Sequence, residues 1–284
     1  MSGIIWLASY PKSGNTWTRA FLANYMSNAS EPIPINDLPN YILGDGFKLH
    51  YEQLTGKAFA DLSDDEVNEL RPRLHQWFAM SRGETVFVKT HSMITKVKEV
   101  PTITPTATAG AIYIVRNPLD VAVSSAYHYQ TSFEQAVETL CETQNSMEAV
   151  DRQAPVYLGS WSGHFKSWTN APGLRLHLLR YEDMLQKPVK AFGSIIKFLG
   201  LPKEPDRLKR AIRFASFKEL TKQESATEFV EARPDGKSKF FRQGKIGGWR
   251  DFLTDEQSQK LIDINRAEMT QLGYLSPKGR LKGI

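Results

Sequence analysis

The chain has 284 residues, 41% hydrophobic and 24% charged, with 36 Lys and Arg against 31 Asp and Glu for a net charge of +5. That mixture excludes disordered, collagen-like and coiled-coil chains, and the length is enough to bury a core without disulfide or metal staples. The one cysteine, Cys141, excludes an intramolecular disulfide and a cysteine-based zinc cluster, and is expected to be a small buried hydrophobe.

The apolar start, Met1 to Ala8, lacks a basic leader and soon meets Tyr10-Pro11-Lys12. No stretch reaches the ~18 uncharged apolar residues of a membrane span. A cytoplasmic protein with neither signal peptide nor membrane contact is expected. The charge is uneven: residues 1–200 carry 18 basic and 19 acidic side chains, whereas residues 201–284 carry 18 and 12. A basic third of this kind suits either a solvated surface or an anion site.

Gly3-Ile4-Ile5-Trp6-Leu7-Ala8 is a short apolar run ending in turn residues, and from Thr16 to Met26 the residues Trp17, Ala20, Phe21, Asn24 and Tyr25 recur at helical spacing. That reads strand, loop, helix. The proline-rich segments Glu31–Pro39 and Pro101–Pro105 read as surface loops. Ser63-Asp64-Asp65-Glu66 and Thr254-Asp255-Glu256-Gln257 fit the capping box, so the acids at 61–69 mark a helix start rather than a metal site. Thr85–Val88 predicts a strand, and Ala111–Val115 another, followed by Arg116-Asn117-Pro118 and a helix over Leu119–Tyr129 that Pro118 can begin. Leu174–Leu179 predicts a further buried strand. Strands separated by helical stretches imply an α/β fold: a single domain over 1–284 with a central parallel sheet flanked by helices.

The segment Ser9–Trp17 falls at a strand-to-helix junction, where backbone N–H groups and the positive helix end converge. Gly14 lets the backbone approach closely, Lys12 supplies a mobile cation, and Ser13, Asn15 and Thr16 add donors, which makes a P-loop-like phosphate site. The G-x-x-x-x-G-K-[ST] pattern is absent, because Ala58 follows Gly56-Lys57 and Tyr51 stands where the first glycine belongs. That disfavours an ordinary P-loop small-molecule kinase.

Tyr10-Pro11-Lys12-Ser13-Gly14-Asn15-Thr16-Trp17 resembles the Y-P-K-S-G-T-T-W signature of the cytosolic-type sulfotransferases, with Asn15 its one departure. These enzymes use 3′-phosphoadenosine 5′-phosphosulfate (PAPS) and release 3′,5′-ADP (PAP). The resemblance implies that Lys12, Ser13, Gly14, Asn15, Thr16 and Trp17 hold the 5′-phosphosulfate end. Ile114–Ser124 is similar to the family's second motif, which implies that Arg116 and Ser124 bind the 3′-phosphate; a planar guanidinium fork and a hydroxyl are suited to it. Phe241-Arg242-Gln243-Gly244-Lys245-Ile246-Gly247-Gly248-Trp249 is similar to R-K-G-x-x-G-D-W, implying contacts from Arg242, Gln243 and Gly244. Gln243 stands for a Lys, which removes one ionic contact, and Gly248 for an Asp. By the same resemblance Tyr181 and the Ser216-Phe217 pair hold the adenosine. Lys245 and Arg242 then belong to the nucleotide site, and the remaining C-terminal cations to solvent.

Lys89-Thr90-His91 matches the family's K-T-H position, which implies His91 as general base. A histidine with an ordinary pKa near 6.5 suits that work at neutral pH. The resemblance implies two more catalytic groups, Lys12 at the bridging oxygen and Lys89 at the sulfuryl oxygens. His50, His75, His128, His164 and His177 have no motif context and are expected at the surface or as satisfied core. The implied reaction is transfer of the sulfuryl group to a hydroxyl or amine of a small hydroxylated acceptor, without metal or nucleic acid, by a monomer or homodimer. Tyr41, Phe47, Tyr51, Trp77, Phe78, Tyr127 and Tyr129 are available to an acceptor pocket, though such aromatics more often belong to the core. A non-enzymatic polyanion-binding protein is the competing class. Against it, aromatics interleave with basic residues only at Phe240-Phe241-Arg242 and Trp249-Arg250.

Overall fold

Every residue of the strand Gly3–Ser9 is buried, as expected of a central strand in a parallel sheet covered on both faces. The computed structural model describes residues 3–81, 83, 85–150, 152–232 and 239–282. In it this strand is the middle of a five-stranded parallel sheet ordered Leu43–Gly44, Thr85–Thr90, Gly3–Ser9, Thr108–Val115 and Leu176–Arg180, with helices on its flanks. The chain fills one side of Gly3–Ser9 first and the other side afterwards, so the strand order reverses there. Open α/β sheets bind ligands beyond the strands' carboxyl ends at such a reversal. The register pairs Gly3 with Thr85 and runs on to Ala8 with Thr90. Ser9 and His91 are therefore the next residues after one matched pair.

The chain divides into two compact units. The first comprises Met1–Tyr10, Ile42–Tyr113 and Glu142–Leu178. Its core holds Trp6, which donates its indole N–H to Thr108 Oγ1 at 2.9 Å and meets the His75 ring edge-on at 4.8 Å. His75 lies on the helix Asp64–Met80, whose capping box between Ser63 and Glu66 is formed. Burial pushes the His75 pKa down to about 3 and that of His164 down to about 4. In the unfolded chain both rings take up a proton near pH 6.5. Because the folded values lie below the unfolded one, their contribution is complete above about pH 6.5 and is lost as pH falls through the folded values. Urea unfolding is expected to show stability declining from pH 6.5 to 4.5, by up to about 1.4 kcal/mol per pH unit for each ring. His75→Asn should about halve that slope, leaving the His164 contribution; an unchanged slope would remove His75 as a source.

The second unit comprises Pro11–Tyr41, Ile114–Cys141 and Leu179–Ile284. The helix Asn15–Ser27 packs Phe21 in a stack on Phe192 at 4.3 Å. On the same helix Arg19 is fully buried and paired with both carboxylate oxygens of Glu231, at 2.7 and 2.6 Å. Truncating Glu231 strands a buried guanidinium, so Glu231→Ala should cost about 3 kcal/mol in denaturant unfolding. A loss well under 1 kcal/mol would mean that water replaces the carboxylate. The buried Glu182 accepts from the Asn117 N–H at 3.0 Å and from the Tyr274 hydroxyl at 2.9 Å, and burial raises its pKa.

Three expectations are corrected. The proline-rich segments are not wholly surface loops: Ile35, Leu38, Thr102, Ile103 and Thr104 are buried, because the residues between the prolines supply core side chains. Cys141 is half-buried rather than core, being the last residue of the helix Phe133–Cys141. The strand expected over Leu174–Leu179 spans Leu176–Arg180 at the sheet edge, where Leu178 is 40% exposed, since an edge strand has one neighbour only. No described helix is long and apolar enough to cross a membrane. No group of three or more His, Cys, Asp or Glu among the described residues could hold a metal ion.

Candidate active site

The residues singled out in the sequence fall into two groups, one within each unit. In the second unit, the turn before the helix Asn15–Ser27 is conformationally costly. Lys12 has φ 65° and Gly14 has φ 104°, the left-handed region that glycine enters freely and lysine does not. A Cβ on Gly14 would stand 2.8 Å from Tyr181 Cδ2 and 3.1 Å from Met184 Cε, so both backbone angle and space demand glycine. Strained turns of this kind concentrate at functional sites. Ser13 is fully buried, and its hydroxyl and the indole N–H of Trp17 have no hydrogen-bond partner among the described residues. Two orphaned donors beside a helix amino end suit an anion. Asn15 and Thr16 are buried, and Thr16 Oγ1 accepts from Arg19 at 3.0 Å. The Lys12 ammonium lies 3.9 Å from the centre of the Phe240 ring.

Arg116 follows the strand Thr108–Val115 and ties three pieces of the unit together. It donates to the carbonyls of Lys12 and Lys245, both at 3.2 Å, and its guanidinium lies 4.3 Å from the Tyr181 ring centre. Tyr181 in turn meets Trp17 edge-on at 5.7 Å. Asn117 caps the helix Pro118–Tyr129 by accepting from the Leu119 N–H, with Pro118 in the first turn. Ser124 lies half-exposed on that helix.

The segment carrying Arg242 is anchored on both flanks. Glu224 accepts the N–H groups of Phe240 and Phe241, and Asp120 accepts those of Gly247 at 2.8 Å and Trp249 at 3.1 Å. Gly244, at φ 60°, leaves no room for a Cβ, which would stand 2.6 Å from Phe217. Arg242 stacks on Tyr127 at 4.1 Å. Burial lowers its pKa, and Arg116 adds to that effect. An anion beside Arg242 would offset that effect. Gln243 Oε1 lies 3.4 Å from where a Cβ on Gly248 would stand. Ser216 Oγ accepts the Glu219 N–H as N-cap of the helix Phe217–Ala226. Asp120, Glu182 and Glu224 went unnoticed in the sequence because each acts through backbone N–H groups far away in the chain.

In the first unit, His91 Nδ1 lies 2.8 Å from the Ser9 carbonyl oxygen and 3.3 Å from Ser9 Oγ. A carbonyl oxygen can only accept, so Nδ1 carries a hydrogen, and whenever the ring is neutral its lone pair is on Nε2. Asp45, fully buried, accepts from Thr90 Oγ1 at 2.7 Å and donates its own N–H to the Lys89 carbonyl at 3.2 Å. Burial raises the Asp45 pKa, against Arg71, Thr90 and Lys89, which lower it. The Lys89 ammonium lies 6.0 Å from the centre of the Phe47 ring. Of the aromatics available to an acceptor, Tyr51 and Phe78 are fully buried and belong to the core.

A parallel α/β sheet whose first strand runs through a tight loop into a helix is an architecture that many nucleotide-binding proteins share. The sulfotransferase domain matches residues 3–273, and the chain belongs to that family. It is 25% identical over 277 residues to flavonol 3-sulfotransferase of Flaveria bidentis, covering 90% of this chain and 78% of that one. It is 22% identical to cytosolic sulfotransferase 5 of Arabidopsis thaliana, covering 94% and 80%. Among solved structures, mouse sulfotransferase SULT7A1 complexed with PAP is alike in fold with TM-score 0.59 at 22% identity, covering 99% of this chain and 87% of that one. Retinol dehydratase in complex with androsterone and PAP gives 0.64 at 20%, covering 97% and 83%.

Proposed function

We propose that this sulfotransferase carries the sulfuryl group from PAPS to a hydroxyl or amine of a small acceptor in the cytoplasm, acting as one sulfotransferase domain with His91 as general base. The observation that carries the assignment is the Nδ1–H to Ser9 carbonyl bond, which leaves the lone pair on Nε2. PAPS supplies an activated sulfuryl group on a good leaving phosphate. As in phosphoryl transfer, the protein's share is positioning and charge stabilisation rather than covalent work.

The residues of the second unit suit the nucleotide. Lys12, Ser13, Gly14, Asn15, Thr16 and Trp17 would hold the 5′ end, and the orphaned Ser13 hydroxyl and Trp17 indole N–H support that reading. Arg116, Ser124, Arg242, Gln243 and Gly244 would hold the 3′-phosphate, supported by the bond of Arg116 to the Lys245 carbonyl in the segment that carries Arg242. Tyr181, Ser216 and Phe217 would flank the adenosine. His91 removes the acceptor proton. Lys12 neutralises charge on the leaving phosphate, and Lys89 does the same at the sulfuryl oxygens.

Thermal denaturation separates this reading from its rivals. PAP at saturating concentration is expected to raise Tm by several degrees, while ATP with Mg²⁺ does not. Stabilisation by ATP with Mg²⁺ alone would favour a kinase, and by an oligonucleotide alone a polyanion binder.

A further inference from the structure

We propose that His164 is a positioning residue for His91, fixing the base through its main chain; this rests on the reading of His91 given above. Once the chain leaves the strand Thr85–Thr90, its carbonyls lose their sheet partners and must be satisfied elsewhere. One face of the helix Trp161–Thr169 supplies the partners. His164 Nε2 lies 2.9 Å from the His91 carbonyl oxygen. Trp168, one turn on, donates its indole N–H to the next carbonyl, Ser92, at 3.1 Å. Between them Ser167 Oγ accepts the Ile94 N–H at 3.0 Å. Residues i and i+4 share a helix face, which is why one helix can meet successive carbonyls.

His164 itself is held in a single state. It is fully buried, and burial keeps it neutral at pH 7. Since the His91 carbonyl can only accept, Nε2 of His164 carries its hydrogen, and Nδ1 must accept. Its partner is the hydroxyl of the buried Tyr113, 2.8 Å away. Tyr10 closes the remaining side edge-on at 5.5 Å and is itself bonded by Asn145 Nδ2 at 3.1 Å. Tyr113 O–H to His164 Nδ1, then His164 Nε2–H to the His91 carbonyl, is a directed pair of bonds that fixes the His91 peptide. The His91 ring is bonded at the other end to Ser9, so its Nε2 is aimed by two anchors. Nothing in the sequence around His164 marks this, for the residue it serves lies 73 positions away.

The test measures kcat and KM with PAPS and whichever acceptor turns over fastest in a panel of phenols, primary alcohols and amines. His164→Leu, which removes the donor, is expected to lower kcat by about 10²-fold with KM for PAPS unchanged, as misplacement of a catalytic group does. His164→Gln, whose amide can donate to the same carbonyl, should recover most of that loss. Tyr113→Phe keeps the ring and removes only the hydroxyl that sets the His164 tautomer; it should lower kcat several-fold, and it covers the case in which the leucine variant does not fold. Full kcat in His164→Leu, or in Tyr113→Phe, overturns the proposal, as does an equal loss in the leucine and glutamine variants, which would mean packing alone. A His91→Ala control separates the two ideas. If it retains turnover, the base assignment falls; if it is inactive while His164→Leu is fully active, only the positioning role falls.

Discussion

With His91 replaced by alanine, sulfuryl transfer should fall by about 10²–10⁴-fold, the range that general acid–base catalysis contributes, while PAP binding measured by calorimetry stays within about threefold. The reason for the split is local. His91 is bonded to Ser9 in the first unit, and the residues assigned to the nucleotide are held by contacts of their own: Arg116 to the Lys12 and Lys245 carbonyls, and Asp120 to Gly247 and Trp249. Removing an imidazole leaves all of them in place. Turnover close to that of the unaltered protein would take His91 out of the mechanism, and a large loss of PAP affinity would make its role structural.

The second large effect belongs to Arg116. Arg116→Ala should weaken PAP by about 3 kcal/mol, which is about 10²-fold in Kd, because a bidentate guanidinium–phosphate contact comprises two charge-assisted bonds of about 1.5 kcal/mol or more. Binding of 5′-AMP, which lacks the 3′-phosphate, should weaken far less. Arg116→Lys should rescue little, since an ammonium cannot offer the planar fork. The comparison matters because Arg116 also donates to two loop carbonyls. Equal losses for PAP and 5′-AMP would mean that it acts only by tying those loops together.

Much of the site is legible before folding. The junction Ser9–Trp17 reads as an anion site because its chemistry is contiguous: strand end, glycine, cation and helix start follow one another within a few residues. The capping boxes at Ser63 and Thr254 are equally local, and both are formed. Arg116, Arg242 and His91 are candidates only because their neighbours in sequence match a family pattern; composition and periodicity alone do not single them out. Long-range partners gave no signal at all. Asp45, Asp120, His164 and Glu224 are ordinary polar residues in sequence; Asp45 reaches the Thr90 hydroxyl, and the other three reach backbone groups distant in the chain. The burial of Thr102, Ile103 and Thr104 was hidden for a related reason: the prolines around them mark where the chain turns, without saying which way the side chains between them face.

The sequence by itself determined the fold class and the family, because strand and helix periodicity, caps and contiguous motifs are written in neighbouring residues. Only the tertiary structure decided which nitrogen of His91 carries the proton. That choice depends on the Ser9 carbonyl, brought alongside by the register of two parallel strands. Hydrogen-bond direction is a property of pairs in space, and no spacing along the chain encodes it.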